Sequence, residues 1–305
     1  MISERLWNVL PGKLLSVIHD YKQVFFLLMP HMHVRQDSFR DNRALGNYVI
    51  FRMDDIQDYW LQAAQLSLMD LFIERNQNLS LGLIMNRIGN DTKLIDKLKE
   101  GSSKKLFELC LHGWDHLDYT KLNEEEQEHS LRKANEKMAT MFGHSSSVFI
   151  SPYGLFDKSA IKVMKNIGLR ILSANGSAEY SFDKNKSTYF ARGGMNLTKE
   201  NQAAYNNTIY HLPTTLPFKL YLKGKRIEIP IENALNCINK NVARYGYAVV
   251  VFHPQDFVQM DRHGNFTDIL QEKDIKVVSQ LIDALLSKNI RIMSFSEIVK
   301  SNSFR

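Results

Sequence analysis

From Asn47 onward, short runs of β-branched and apolar residues alternate with longer stretches whose apolar positions recur at helical spacing. The short runs predict strands at Tyr48–Met53, Leu79–Met85, Leu106–Leu111, Ser147–Ile150, Leu169–Ser173, Ile209–Pro213, Ala248–Phe252 and Ile290–Phe295. The longer ones predict helices over Gln57–Arg75, Thr92–Glu100, Asn123–Phe142, Lys158–Ile167, Ile231–Arg244 and Glu272–Ser287. Asn123–Phe142 carries the fullest end signals. Glu124, Glu125 and Glu126 suit the positive end of the helix dipole, and Gly143 supplies a stop.

Strands that alternate with helices imply a parallel sheet with helical crossovers, an α/β fold. Both an α/β barrel and a doubly wound open sheet satisfy the pattern. The segment Asn175–Asn207 has no sustained period, and a connection of that length is usually a lid, a binding loop or an inserted hairpin. Residues 1–46 are expected to form a helical extension outside the alternation. With no internal repeat and no Pro/Ser-rich linker, residues 47–305 are expected to be one catalytic-sized domain.

Composition narrows the class. The 305 residues are 44% hydrophobic and 24% charged, enough for a packed core and unlike a disordered or collagen-like chain. Two cysteines, Cys110 and Cys237, cannot build a disulfide scaffold or a zinc site of several thiolates. The net charge of +6 is spread along the chain, with local runs only at Lys97–Lys105 and Lys219–Arg226, so no nucleic-acid partner is expected. No apolar run approaches the roughly eighteen residues of a membrane span. Val24–Met29 is short for the core of a signal peptide, and His31-Met32-His33 is no small-residue cleavage site. A cytoplasmic location is therefore expected, with secretion or surface association as the alternative. Asn78, Asn90 and Asn196 open Asn-x-Ser/Thr tripeptides, which matter only on a secretory route.

In barrels and open sheets alike, functional groups collect where strands end and the following loops begin. Four strand ends carry candidate chemistry. The first is Asp54-Asp55, two carboxylates that point to opposite sides of an extended segment and could serve as a base and a cation ligand, or as a cap for the helix that follows. The second is His112-Gly113-Trp114-Asp115-His116. Two His four apart share one face of a helical turn and could reach one metal. The third is Ser151-Pro152-Tyr153-Gly154, a tight turn whose backbone N–H could face a ligand. The fourth is His253-Pro254-Gln255-Asp256, where a strand-end His is placed to act as acid or base.

This order of motifs resembles the polysaccharide deacetylases of carbohydrate esterase family 4, over about Asn47 to Ile298. The resemblance implies a distorted (β/α) barrel of about seven strands and an N-acetylated sugar or glycan as substrate. It implies Asp54 as base, Asp55, His112 and His116 as ligands of a divalent metal, and His253 as acid. Pro152, Tyr153 and Gly154 would line the substrate groove, with a backbone N–H toward the oxyanion. Zinc is the foremost candidate metal, although His and carboxylate ligands also suit Co, Ni, Mn or Fe.

Two positions depart from the family pattern. Ile56 stands where the first motif closes with Gly, and Ile150 stands where an Arg orients the base. Arg52 leaves the same face of its strand as Asp54 and is a replacement candidate, as is Arg192 in the long segment. Asp256 is a candidate to hold the His253 ring. Two other readings remain open: cleavage of another C–N bond, in a ureide or formamide, and a catalytically impaired relative that only binds glycans. Oligomeric state is left open.

Overall fold

The computed structural model describes residues 46–174, 209–222 and 225–303. The N-terminal extension expected over residues 1–46 lies outside them, apart from Gly46, and so do Arg192 and the Asn196 tripeptide. The sheet is built on β1 (Tyr48–Ile56), whose buried run YVIFRM pairs in parallel with strands on both sides. On one side follow β2 (Leu79–Leu83), β3 (Phe107–Leu111), β4 (Val148–Ile150), β5 (Ile171–Ser173) and β6 (Tyr210–His211). On the other lie β10 (Tyr247–Phe252) and β7 (Leu216–Pro217), while the short β13 (Arg291–Ile292) pairs with the start of β1. Every pairing in this sheet is parallel.

One segment bridges the two edges of the curl. Tyr210, Leu212 and Thr214 donate backbone N–H groups to Arg170, Leu172 and Ala174 beside β5, whereas Thr215 and Phe218 donate to Val249 and Val251 of β10. The chain from 210 to 218 thus changes partners halfway, giving a distorted barrel of seven strand positions with β6 and β7 sharing one of them. The open-sheet alternative does not hold.

Helices pack outside. They are α1 (Gln62–Glu74), α2 (Thr92–Ser103), α3 (Glu124–Phe142), α4 (Lys158–Asn166), α5 (Ile231–Tyr245) and α6 (Glu272–Ser287). Alternation along the strands sends Phe51, Leu81, Leu109, Phe149 and Phe252 toward them, with Phe51 stacked on Phe252 at 5.4 Å. The opposite set, Tyr48, Ile50, Cys110, Val148, Ile171 and Val249 among them, forms a separate inner cluster. Hairpins β8–β9 (Lys219–Leu222, Lys225–Glu228) and β11–β12 (Val258–Met260, Phe266–Leu270) flank β10 in sequence.

Three expectations need correction. The strand expected over Ile290–Phe295 is confined to Arg291–Ile292, and α7 (Phe295–Ser303) follows at once. Ser294 and Glu297 exchange backbone and side-chain bonds in a capping box that starts this helix. Its first amides, from Phe295 and Ser296, donate to Glu108 inside the N-terminal mouth of the barrel. The first helix begins at Gln62 instead of Gln57, because Tyr59 and Leu61 adopt left-handed conformations and the buried Gln65 side chain clamps the turn through Gln57 and Trp60. Asp54-Asp55 therefore does not cap that helix. Finally, His112–His116 is an irregular loop with no helical turn.

His211 gives the bridging segment a pH liability. Both ring nitrogens are sealed from solvent and make no well-formed hydrogen bond among the described residues, and the ring packs edge-on to Phe156 at 5.2 Å. Burial pushes its pKa down to about 4. A depressed folded pKa means that the stability is whole above the unfolded value of about 6.5 and is lost as pH falls toward 4. His211→Phe should flatten the fall of unfolding free energy between pH 6.5 and 4 by on the order of 3 kcal/mol. Denaturant titration at several pH values measures it, and an unchanged slope would refute it.

Candidate active site

The site forms at the C-terminal ends of β1, β3, β4 and β10. On β1, Arg52 and Asp54 both face the barrel interior and are 4% and 2% exposed. A charge so far from water requires a partner. Arg52 supplies it by a fork, Nε to Oδ1 at 2.8 Å and Nη2 to Oδ2 at 2.5 Å. The remaining arm, Nη1, donates to Ser173 Oγ at 2.7 Å. Burial opposes ionisation of Asp54, but the Arg52 guanidinium, with His112 and His253 nearby, outweighs it. The carboxyl is held below the usual carboxylate range. Gly82 on the neighbouring strand leaves room for this, since a Cβ there would stand 3.2 Å from Asp54 Oδ1.

Asp55 takes a left-handed backbone, φ 61°, where the β1–β2 register shifts. This turn aims its carboxylate at the loop after β3, where His112 Nε2 and His116 Nε2 approach Oδ1 at 3.2 and 3.1 Å. Gly113 (φ 80°) and His116 (φ 56°) fold that loop back on itself, which brings the two rings together without a helix. A side chain at Gly113 would also press on the Tyr119 ring.

The three ligand atoms all lie within 4.8 Å of one another. His112 Nδ1 lies 2.8 Å from the Ile150 carbonyl, an acceptor, so Nδ1 carries a proton and Nε2 is the nitrogen turned toward Asp55. Asp55 Oδ1 is buried and accepts no well-formed hydrogen bond. Two imidazole nitrogens gathered on a sealed carboxylate oxygen fit a divalent cation, which such a donor set suits.

His253 closes the other side. Its Nε2 lies 4.0 Å from Asp54 Oδ2, and the side chain is 33% exposed. Asp256, expected to hold the ring, instead accepts the His253 backbone N–H at 2.8 Å, with ring Nδ1 3.9 Å away. Tyr221 donates its hydroxyl to the same carboxylate, and burial pushes the Asp256 pKa up. Pro152, Tyr153 and Gly154 form a tight turn after β4, in which Tyr153 (φ 57°) stands 60% exposed with its ring 4.7 Å from that of His116. The amides of Gly154 and Leu155 are taken up by Ser151 and Pro152 carbonyls.

Arg52, Asp54, Asp55, His112, His116, Tyr153 and His253 therefore share one end of the barrel, while Arg192 lies outside the described residues. Ile150 keeps its side chain in the inner cluster and contributes its carbonyl. Ser173 and Tyr221 escaped the sequence reading. Ser173 does end a strand on its inward face, a signal that was available for it.

A curled parallel barrel with Asp and His side chains gathered at its strand ends is an α/β barrel of a distorted, incomplete kind. Within it, residues 64–172 match the family model of polysaccharide deacetylases. That stretch includes His112, His116 and Pro152–Gly154. Among solved structures, one from Mycobacterium smegmatis, provisionally named a polysaccharide deacetylase, superposes with TM-score 0.57 at 11% identity, over 88% of this chain and 93% of that one. A family 4 acetyl xylan esterase from Clostridium thermocellum, in complex with a cobalt ion, gives 0.50 at 12% identity over 83% and 90%. A CE4 family pseudoenzyme from Bacillus anthracis gives 0.48 at 10% identity, and the chain spans 65% of its length. No curated protein matches the sequence. In sequence and fold the chain is polysaccharide deacetylase-like.

If the three ligand atoms hold one cation, His112→Ala and His116→Ala should each lose most of the bound metal after dialysis against zinc, with circular dichroism unchanged. Asp55→Asn should weaken binding, whereas Asp54→Asn should keep it. Elemental analysis decides, and wild-type metal content in both His variants would dismiss the site.

Proposed function

We propose that the protein is a metal-dependent hydrolase that removes N-acetyl groups from a sugar or glycan. The observation that carries this reading is that an ionised carboxylate, Asp54, and a partly exposed imidazole, His253, stand 4.0 Å apart beside the Asp55–His112–His116 cluster. Amide hydrolysis needs both a group that takes a proton from water and one that gives a proton to the departing amine. Asp54 is the base. The Arg52 fork fixes its plane and keeps it charged. His253 is the acid, exposed enough to meet a leaving group, with its backbone held by Asp256. A divalent cation held by Asp55, His112 and His116, zinc foremost, would polarise the acetyl carbonyl and acidify the attacking water. Tyr153 offers an exposed ring beside His116 on which a pyranose face can rest. Water adds to the acetyl carbon, the C–N bond breaks, and acetate and a free amine leave.

The Arg52–Asp54 fork also bears on the catalytically impaired alternative. With Ile150 at the position of the family's Arg, the base would be untethered unless another cation held it, and Arg52 does so with two contacts.

Acetate release from N-acetylglucosamine oligomers, measured with zinc restored, tests the reading. Asp54→Asn should lower kcat by roughly 10²–10⁴-fold with metal retained. Arg52→Lys should lower it by about 10–100-fold, because a point charge cannot reproduce a two-toothed fork. No acetate release across N-acetyl and O-acetyl saccharides by the metal-loaded protein would reject the proposal, as would a fully active Asp54→Asn variant.

A further inference from the structure

We infer that Ser173 is a positioning residue for the base, acting through Arg52; this rests on the deacetylase reading above. Ser173 ends β5, on the far side of the barrel interior from β1, and is fully buried. Its Oγ donates to the Leu212 carbonyl at 2.7 Å and lies 2.7 Å from Arg52 Nη1. A hydroxyl has one proton. With that proton committed to Leu212, the oxygen presents lone pairs to Arg52 and can only accept from it. The orientation of the hydroxyl is thus set by the bridging segment of the barrel.

The need for this contact follows from the fork. Arg52 and Asp54 leave the same face of one strand two residues apart, so both ends of their pair ride on β1. A long side chain anchored only there keeps freedom to roll about its terminal bonds, and such a roll breaks one of the two teeth. Ser173 grips the guanidinium from another strand and removes that freedom. Among the described residues no second carboxylate forms an ion pair with Arg52. The third contact therefore adds geometry without competing for the charge that Asp54 needs.

The test compares Ser173→Ala and Ser173→Thr, alone and in an Arg52→Lys background, with acetate release from N-acetylglucosamine oligomers as the assay. Ser173→Ala should lower kcat roughly tenfold with KM and zinc content unchanged. Ser173→Thr keeps the hydroxyl and should recover most of the loss. In the Arg52→Lys background, Ser173→Ala should add almost nothing, since the residue has no other route to the base. Full kcat in Ser173→Ala, or the same tenfold loss on top of Arg52→Lys, overturns the assignment. A second readout does not depend on turnover. In ¹⁵N NMR the Arg52 Nη protons should be held in slow rotation in the wild type and released in Ser173→Ala, or in Ser173→Cys should the Ala variant fold poorly. Unchanged Arg52 signals in those variants overturn the inference even if the protein cleaves no N-acetyl sugar. An inactive wild type with released signals would instead refute only the deacetylase reading.

Discussion

A carboxylate and a guanidinium share the interior of a barrel that is otherwise lined mostly by apolar side chains, and the arrangement of the site descends from that pairing. Removed from water, neither charge is tolerable alone, because the desolvation of an unpaired ion would cost several kcal/mol. The pair must therefore be made completely, and its orientation is set jointly by β1, which carries both members, and by Ser173 across the barrel. Asp54 is thereby ionised and fixed before any substrate arrives. Asp55 is released for a different task by the left-handed turn that directly follows. His253 comes up beside the same carboxylate because β10 pairs with β1 in register along Tyr48–Met53.

Much of this was legible in the chain, for a physical reason. Strands of a parallel sheet are buried on both faces and read as unbroken apolar runs, so a polar residue at their end stands out. Asp54, Asp55, His112, His116 and His253 were visible in that way, and Arg52 by its two-residue spacing from Asp54. What was hidden depends on tertiary geometry. The two His meet through left-handed residues at Gly113 and His116, not through helical periodicity. Asp256 stands three residues after His253, yet its carboxylate goes to the backbone N–H instead of the ring. Ser173 gains significance only when β5 is brought across from β1. The last helix was overlooked because Ile290–Phe295 continues the apolar strand pattern across a Ser-x-x-Glu cap.

The relation to the deacetylase family illustrates how one task can be moved within a fold. A base needs a cation at a given point in space, and the strand that delivers it is not prescribed. Ile150 fills the interior with hydrocarbon where the family resemblance implies a guanidinium, and here the cation beside Asp54 comes from Asp54's own strand. The carbonyl of Ile150 still sets the tautomer of His112. Side chain and backbone of one residue thus serve different neighbours, and only the side-chain duty has moved.

The central place of β1 also governs how the molecule is assembled. Its partner β2 is the next strand in the chain, whereas β10 (Tyr247–Phe252) comes after most of the other strands, and a contact that distant forms slowly and late. Asp55 belongs to β1, and His112 and His116 to the loop after β3, so a growing chain owns all three proposed cation ligands long before His253 is synthesised. The imidazole that would deliver a proton is added only when β10 docks and the bridging segment joins the two edges. On the proposed reading, an incomplete chain already holds its cation site and still lacks its acid.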